Sequence, residues 1–430
     1  MPQLLPFRGL RYTAAAGPIS DLLAPPYDVI TPAQQRALEA RSPYNAVRLE
    51  LAEGGDERYG RVAGLVHEWT ANGIIARDDV QMLYVYEQRF REAGQVYRRT
   101  SLITAVEAQP WEEGAIKPHE FTMSGPKEDR LKLLEATRVQ FSPVFMIARD
   151  RAGQLTQFLE STMASREPDV DATSIDGDAH RLWVVEAGRY EMRQLAPLLS
   201  ESFYIADGHH RYETAVNYKI RRAEEGPLER DHPARFAMTA VVAASDPGLI
   251  IRPIHRVVPR PSPAGWQSTL DPLFEIGTVG GVPDGIARAE ALDALLASSP
   301  GGIVALGLEG DDSVHLLRLR SAGLLEPNIP RDRSERWAAI PPNVLRYGVL
   351  DPLWQITDDA LRLGAVLYTH DTAEVLSLAA EHGGAVSFLL HPVGIGEVMA
   401  LADQGERMPQ KSTFFHPKLG TGLVFNPLEL

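Results

Sequence analysis

The chain has 430 residues, 44% of them hydrophobic and 23% charged, which predicts a globular protein of two or three domains. Its formal net charge of −14 argues against a broad nucleic-acid-binding surface and leaves room only for a local basic pocket. The sequence contains no cysteine, which excludes disulfides, thiolate metal sites and a cysteine nucleophile.

Helix and strand patterns alternate from the start of the chain. The prolines within residues 24–30 predict an extended segment, and the Thr-Pro that follows predicts a capped helix over residues 31–41. Residues 45–51 alternate apolar and polar side chains, as a strand does. Residues 59–72 have apolar side chains at helical spacing.

The same interleaving continues through the middle of the chain. Strands are predicted at residues 82–90, 96–107, 144–149, 202–206 and 235–244, and helices at residues 127–138, 154–165 and from the turn after residue 207 to about residue 225. The first two of these strands are joined by a glycine turn and predict a β-hairpin. Three prolines within residues 259–263 predict a linker, and mixed helix and strand signals follow it. This order predicts an α/β or mixed α+β fold.

The segment with the densest polar chemistry is residues 207–211, Asp-Gly-His-His-Arg, between a predicted strand and a predicted helix. A helix N-terminus presents backbone N–H groups and a partial positive charge, which suit an anion such as phosphate. Arg211 and the two histidines could add hydrogen bonds, while Asp207 could accept a proton or hold Mg²⁺. The alternative is an ordinary aspartate-capped helix with polar residues in its first turn.

A second polar cluster spans residues 117–130. His119 and Glu120 follow a proline, and Lys127 and Arg130 lie three residues apart on one face of the predicted helix. A carboxylate near cations suits phosphoryl transfer, since one group accepts a hydroxyl proton while the others neutralise phosphate charge. The alternative is a solvated loop with a surface ion pair.

Weaker candidates lie elsewhere. Tyr27 and Asp28 could shape a pocket, although turn chemistry explains them almost as well. The segment of residues 411–418 is unusually basic for an acidic chain, and Lys411 could contact a phosphate or a carboxylate.

Several familiar signatures are missing from the sequence, including a P-loop, HExxH and GxSxG, which argues against a conventional ATPase or protease. The N-terminus lacks the apolar run of a signal peptide, and the most apolar stretch is far shorter than the roughly 20 residues of a membrane helix. We therefore expect a cytoplasmic protein with neither a membrane nor a nucleic-acid partner.

Four segments in order, residues 24–30, 118–130, 206–212 and 411–413, resemble the domain-of-unknown-function 1015 family over nearly the whole chain. More distantly, residues 207–211 resemble the phosphate-binding motif of the ParB/sulfiredoxin-like superfamily, and the chemistry is most similar to that of the archaeal free serine kinases. This second resemblance covers about residues 100–245. The 86 residues between Glu120 and Asp207 depart from the kinase pattern, so the resemblance does not define the substrate pocket.

The resemblance implies a ParB/sulfiredoxin-like core at residues 101–258, with flanking α/β segments at residues 1–100 and 264–430. Segregation proteins of that superfamily need a basic helix-turn-helix and sulfinic acid repair needs a cysteine, so both branches fit worse. A small-molecule kinase remains, with a nucleotide or pyrophosphate as donor, free L-serine as the preferred acceptor and Mg²⁺ as the expected cofactor. A nucleotide-sensing module acting through a protein partner and a phosphoester hydrolase are the alternatives; the oligomeric state stays open.

The predicted site residues take three roles under the kinase hypothesis. The catalytic group is Glu120 as the base, Asp207 positioning Mg²⁺ or the acceptor, and His210. The phosphate-binding group is Gly208, His209, Arg211, Lys127 and Arg130, and the weaker substrate contacts are His119, Tyr27, Asp28 and Lys411.

Overall fold

The computed structural model describes residues 2–121, 124–285, 287–310 and 312–429. The chain forms two compact units. The first comprises Met1–Pro118, Thr122–Ile250 and Pro417–Leu430, and the second comprises His119–Phe121 and Ile251–His416. Among the described residues, no helix combines the length and the apolar character that crossing a membrane would require.

The first unit is a mixed α/β structure, as the interleaved sequence pattern predicts. Its strands are β1 (Leu4–Leu5), β2 (Leu10–Tyr12), β3 (Ile75–Arg77), β4 (Met82–Glu92), β5 (Gln95–Glu107), β6 (Ile116–Lys117), β7 (Val139–Gln140), β8 (Val144–Ala148), β9 (Val170–Thr173), β10 (Ala179–Glu186), β11 (Phe203–Asp207) and β12 (Phe236–Ala243). Its helices are α1 (Pro32–Arg41), α2 (Val47–Glu50), α3 (Glu57–Ala71), α4 (Ser124–Thr137), α5 (Gln154–Ser165), α6 (Arg189–Leu195) and α7 (His209–Glu225).

A nine-stranded sheet organises this unit. Its strand order is β6-β11-β8-β12-β5-β4-β10-β9, and β1 pairs with β5. The pairs β6–β11 and β8–β12 are parallel, and the other pairs are antiparallel. β11 therefore lies next to the edge strand β6. The residues that follow β11 continue from its C-terminal end.

The predicted hairpin is confirmed as β4 and β5, joined at Ala93 and Gly94. Both turn residues have positive φ, 47° and 78°, which is the backbone that a two-residue hairpin favours because it matches the strand twist. One core cluster covers a face of the sheet and includes Leu83, Val85 and Leu102 from these two strands.

Two local predictions in the N-terminal region are wrong. Residues 45–51 contain the short helix α2 rather than a strand, because Val47, Leu49 and Glu50 are all buried and the Asn45 side chain accepts a hydrogen bond from the Val47 N–H at 3.0 Å. In the segment predicted to be extended, Tyr27–Val29 forms a 3₁₀ turn directly after Pro26. The prolines fix the backbone that enters this turn, but not the turn itself.

The second unit contains a separate sheet. Its strands are β13 (Ile250–Arg252), β14 (His255–Val258), β15 (Phe274–Val279), β16 (Gly302–Leu306), β17 (Val314–Leu319), β18 (Leu367–Thr369), β19 (Val386–Leu389) and β20 (Phe414–His416). Its helices are α8 (Trp266–Leu270), α9 (Ala287–Ala297), α10 (Glu335–Ala339), α11 (Pro341–Leu345), α12 (Asp351–Trp354), α13 (Asp358–Arg362), α14 (Thr372–Glu381) and α15 (Ile395–Asp403). Six strands form an antiparallel sheet in the order β15-β17-β16-β19-β14-β18.

The chain ends in the first unit. Residues 417–430 return there, where β21 (Asn426–Pro427) pairs with β7. The backbone of this segment is held by the first unit's own strands, since Arg99 donates to the Pro417 carbonyl at 2.6 Å and Gln88 donates to the Lys418 carbonyl at 3.0 Å. These unit boundaries differ from the ranges predicted for domains, because β5 runs across residue 100 and the C-terminal residues join the first unit.

Candidate functional site

The turn between β11 and α7 is built around a glycine. Gly208 has φ of +85°, a left-handed conformation that side chains disfavour, and a Cβ placed there would lie 2.9 Å from Nε of Arg211. The residues before it, Phe203–Ala206, are buried strand, and α7 begins at His209. The local sequence thus produces the strand–glycine–helix turn that it predicts.

The start of α7 is suited to an anion. The N-cap residue, Gly208, has no side chain that could cap the helix, and the first turn of this 17-residue helix contains no acidic residue. The backbone N–H groups and the partial positive charge of the helix dipole at this end therefore suit an anion, and the first carboxylate of the helix, Glu213, lies one turn further along.

Asp207 precedes this turn, and its carboxylate contacts two positively charged side chains. One carboxylate oxygen accepts a hydrogen bond from Arg211 at 2.7 Å, and the other forms an ion pair with Lys418. Arg211 also donates to the Pro143 carbonyl at 2.6 Å, so its guanidinium ties the turn to the loop before β8. The three charged side chains are largely buried, and together they carry one net positive charge.

These contacts bear on Mg²⁺ binding by Asp207. Oxygen ligands suit Mg²⁺, but both oxygens of this carboxylate already accept from Arg211 or Lys418. The carboxylate would take a metal only if one cation moved away, so the structure does not offer Asp207 as a ready-made ligand. A role in holding Mg²⁺ stays a prediction.

The two histidines of the motif differ in exposure. His209 is buried, whereas His210 is half-buried. Burial lowers the pKa of His210 below its ordinary value, opposed by Glu213 and reinforced by Lys127. At neutral pH the imidazole is therefore a hydrogen-bonding group rather than a cation.

Lys127 and Arg130 lie on α4 and contact different partners. Lys127 forms an ion pair with Glu213 of α7 at 2.5 Å, and that carboxylate also accepts from Trp111 Nε1 at 3.0 Å. Arg130 contacts Glu50 of α2 at 2.9 Å. The two cations predicted to act together on phosphate thus each hold a carboxylate of a neighbouring helix.

Tyr27 packs against Arg130. The guanidinium carbon lies 4.2 Å from the ring centroid, and burial raises the pKa of Tyr27 to about 12, with smaller effects of Arg211 and Asp28. Asp28 also acts electrostatically on His210 and Arg211, so the two weak N-terminal candidates lie in the electrostatic environment of the α7 motif.

The remaining candidates belong to the second unit. His119 Nε2 lies 2.9 Å from Thr413 Oγ1, and the His119 carbonyl accepts from the Met408 N–H at 2.7 Å. Glu120, half-buried, forms a β-bridge with Met408, so its backbone is fixed there. Lys411 has a left-handed backbone with φ of 61°, and its carbonyl accepts from Arg256 at 2.8 Å.

The sequence profile described as "Protein of unknown function (DUF1015)" matches residues 4–334. The chain belongs to this family. No curated protein matches the sequence.

Solved structures similar to this DUF1015 protein share little sequence with it. A free serine kinase mutant in complex with ADP is 12% identical, with a TM-score of 0.37, over 75% of this chain and 92% of that one. A conserved hypothetical protein from Pyrococcus furiosus is 13% identical, with a TM-score of 0.31, over 74% of this chain and 93% of that one. SbnI from Staphylococcus aureus, with a C-terminal truncation, is 13% identical, with a TM-score of 0.35, over 76% of this chain and 87% of that one.

Two residues that contribute to the candidate site are not among those predicted from the sequence. Lys418 lies in the basic segment of residues 411–418, but that pattern gave no reason to choose it over Lys411. Glu50 had no signal, since it was part of a segment predicted to be a strand. Both contribute charge to the candidate site of the first unit through contacts that are distant in sequence.

Proposed function

We propose that this DUF1015 protein is a small-molecule kinase that transfers a phosphoryl group from a nucleotide or pyrophosphate to a hydroxyl, with free L-serine as the acceptor. The observation that carries the proposal is the glycine turn between β11 and α7, where the start of the helix adjoins the Asp207–Arg211–Lys418 cluster. The motif's resemblance to the free serine kinases supports the same chemistry.

The charges of the first unit support the proposal of phosphate binding. Backbone N–H groups at the start of α7 would donate to the phosphate oxygens, and the net positive charge of the Asp207 cluster would favour the anion. His210, neutral at pH 7, would add a hydrogen bond. Mg²⁺, when bound, would neutralise part of the phosphate charge and come with the donor.

Proton transfer is assigned to Glu120. In the proposed reaction the serine hydroxyl oxygen forms a bond to the transferred phosphorus while the bond to the leaving phosphate or nucleotide breaks. The hydroxyl proton passes to the Glu120 carboxylate, which must therefore be ionised before transfer. The half-exposed position of this side chain is compatible with access by a small molecule.

The test is direct. Purified protein is incubated with Mg²⁺, L-serine and, in separate reactions, ATP, ADP or pyrophosphate, and phosphoserine is measured by mass spectrometry. We expect phosphoserine with at least one donor, and its absence with all of them would contradict the proposal. Nucleotide binding without turnover, with a nucleotide-dependent change in mass, would favour the sensing module, and phosphate release without an acceptor would favour a hydrolase.

The role of Glu120 is tested by Glu120→Gln, which keeps the shape of the side chain and removes the base. We expect kcat to fall by about 10²- to 10⁴-fold, the usual contribution of general base catalysis. Glu128→Gln is the matched control, because the Glu128 side chain is 74% exposed and pairs only weakly with Lys132 at 3.5 Å. A wild-type rate in Glu120→Gln would remove this residue from the role of base.

A further inference from the structure

The carboxylate of Asp207 does not fit the role of a metal ligand. One of its oxygens accepts from Arg211 Nη2 at 2.7 Å, and the other forms an ion pair with Lys418. Mg²⁺ requires near-octahedral oxygen coordination at short distances, and a cation already in contact with each oxygen would repel it. This geometry argues against the assignment of Mg²⁺ to Asp207.

The surroundings of Asp207 lead to the same conclusion. Among the residues that the structure describes, Asp207 belongs to no group of three or more histidine or acidic side chains whose ligand atoms lie within 4.8 Å of one another. A metal ion at this position would therefore depend on a single carboxylate, both oxygens of which are already engaged.

The Lys418 ammonium contacts the carboxylate oxygen that such a metal ion would need. Asp207 directly precedes Gly208, the N-cap of α7, and the Arg211 guanidinium lies against that N-cap, since a Cβ on Gly208 would be 2.9 Å from Arg211 Nε. The two cations on this carboxylate thus adjoin the start of the helix. The three charged side chains keep 10–14% of their surface exposed, so the cluster is not sealed from solvent.

The backbone around Lys418 is anchored inside the first unit. Its own carbonyl accepts from Gln88 at 3.0 Å, and the carbonyl of Pro417 accepts from Arg99 at 2.6 Å. Both donors are 1% exposed, so neither anchor is in contact with bulk water. An ammonium group has three N–H donors and acts as a compact point charge, so it can contact a carboxylate and a phosphate at the same time.

We infer that Lys418 takes the place of a divalent cation at this turn, so that the site binds pyrophosphate, or the diphosphate of a nucleotide, without the help of a metal ion. Asp207 then holds the Lys418 ammonium and the Arg211 guanidinium at the helix start and is not a metal ligand. This inference rests on the proposed function for the location of the anion. It deepens that function by naming the form in which the donor is recognised.

The first experiment measures the binding of pyrophosphate and of ADP to the wild-type protein by calorimetry, once in EDTA and once in excess Mg²⁺. We expect binding in EDTA, and an affinity that Mg²⁺ does not raise by as much as about tenfold, the effect of one charged hydrogen bond. The absence of binding of both compounds in EDTA, or a rise of tenfold or more on adding Mg²⁺, would overturn the inference.

Variants of Lys418 test the ammonium itself. Lys418→Gln should weaken the binding of pyrophosphate in EDTA at least about tenfold, and Lys418→Arg, which keeps the charge, should recover most of it. Lys132→Gln is the matched control, because Lys132 is a lysine of the same unit whose 38% exposed side chain pairs with Asp56 at 3.0 Å. Unchanged affinity in a folded Lys418→Gln protein, or an equal loss in the control, would overturn the inference.

Mn²⁺, a paramagnetic substitute for Mg²⁺, tests Asp207 without any measurement of activity. The wild type and Asp207→Asn should bind the same amount of Mn²⁺ in the absence of nucleotide, as followed by electron paramagnetic resonance. Circular dichroism confirms the fold of the variant. Mn²⁺ binding that is lost in a folded Asp207→Asn protein would identify Asp207 as a metal ligand and overturn the inference.

The outcomes separate this inference from the proposed function. Phosphoserine formation by a protein that binds its donor only with Mg²⁺ would overturn the inference and leave the kinase intact. Binding of pyrophosphate or ADP in EDTA that depends on Lys418, without phosphoserine from any donor, would support the inference and contradict the kinase. If Lys418→Gln does not fold, the wild-type comparison of EDTA with Mg²⁺ still decides.

Discussion

Lys418 forms an ion pair with Asp207, which lies 211 residues earlier in the sequence. The same carboxylate accepts from Arg211 at 2.7 Å, so a single aspartate joins the C-terminal segment to the first turn of α7. The backbone of Lys418 is itself fixed by Gln88 of β4 at 3.0 Å. The C-terminal residues therefore supply a positioned cation to the candidate phosphate site of the first unit.

Replacing Lys418 with Gln should weaken both the site and the fold. The side chains of Lys418 and Asp207 are 13% and 14% exposed, so their pairing is only partly screened by water. We expect the free energy of unfolding to fall by about 1–3 kcal/mol, and the Kd for ADP to rise about tenfold. Denaturant unfolding and calorimetry measure the two effects.

Lys418→Arg is the matched control for this prediction. It keeps the charge and the hydrogen bonding to Asp207, so it should recover most of the lost affinity. If Lys418→Gln has wild-type stability and ADP affinity, the ion pair contributes neither to the fold nor to anion binding.

Gly208→Ala should destabilise the turn that leads into α7. An alanine would have to adopt φ of +85°, and its Cβ would lie 2.9 Å from Arg211 Nε, so the guanidinium would have to move. We expect a loss of about 1–3 kcal/mol in the free energy of unfolding, measured by urea denaturation, together with weaker ADP binding.

Gly226→Ala at the other end of the same helix provides the comparison. Gly226 has φ of 166°, an extended backbone that any residue adopts, and a Cβ there meets no atom within 4 Å. Its effect should stay within about 0.5 kcal/mol, as for most surface substitutions. Equal losses at the two glycines would show that the positive φ is not what makes Gly208 necessary.

The parts of the fold that the sequence predicts correctly are those determined by neighbouring residues. The hairpin of β4 and β5 and the strand–glycine–helix turn before α7 depend on turn residues and on periodicities within a few positions. In contrast, the alternating pattern of residues 45–51 predicts a strand where the structure has α2, because the burial of these residues comes from tertiary contacts. Asn45 fixes it by donating to the Leu23 carbonyl, 22 residues away at 3.1 Å.

The electrostatics of the candidate site could not be predicted in the same way. The motif at residues 207–211 identified the cations near α7, but which acid each one contacts depends on long-range packing. Lys127 pairs with Glu213, and Arg130 pairs with Glu50, which is 80 residues distant. Sequence spacing therefore indicates which groups are available, while the tertiary fold decides which of them are already engaged.

The pair of Arg130 and Glu50 should show strong coupling in a double-mutant cycle. The two side chains are 9% and 4% exposed, so Arg130→Met leaves a buried carboxylate without its partner and should cost about 3–5 kcal/mol of unfolding free energy. The loss includes the contact of Arg130 with the Tyr27 ring at 4.2 Å.

The second arm of the cycle removes the carboxylate as well. Arg130→Met combined with Glu50→Gln should cost less than the sum of the single losses by about 1–3 kcal/mol, because no unpaired charge is left buried. Urea unfolding of the four proteins measures the coupling. Additive losses would mean that the two groups do not stabilise each other.

His180 should make the stability of the first unit depend on pH. Burial, with a smaller effect of Arg99, lowers its pKa from 6.5 to about 4, and its Nδ1 lies 2.6 Å from the Tyr86 hydroxyl. The unfolded chain therefore binds the proton more readily than the folded protein. The stabilisation is fully present above pH 6.5, and it is lost as the pH falls through this window towards 4.

Between pH 7 and pH 5 this single group should lower the free energy of unfolding by about 2 kcal/mol. His255 of the second unit has a pKa lowered in the same direction, so the measurement compares variants rather than absolute values. His180→Gln, which does not titrate, should lose less stability than the wild type over this range. Parallel curves for the wild type and His180→Gln would show that His180 is protonated as easily in the folded protein as in the unfolded chain, contrary to its burial.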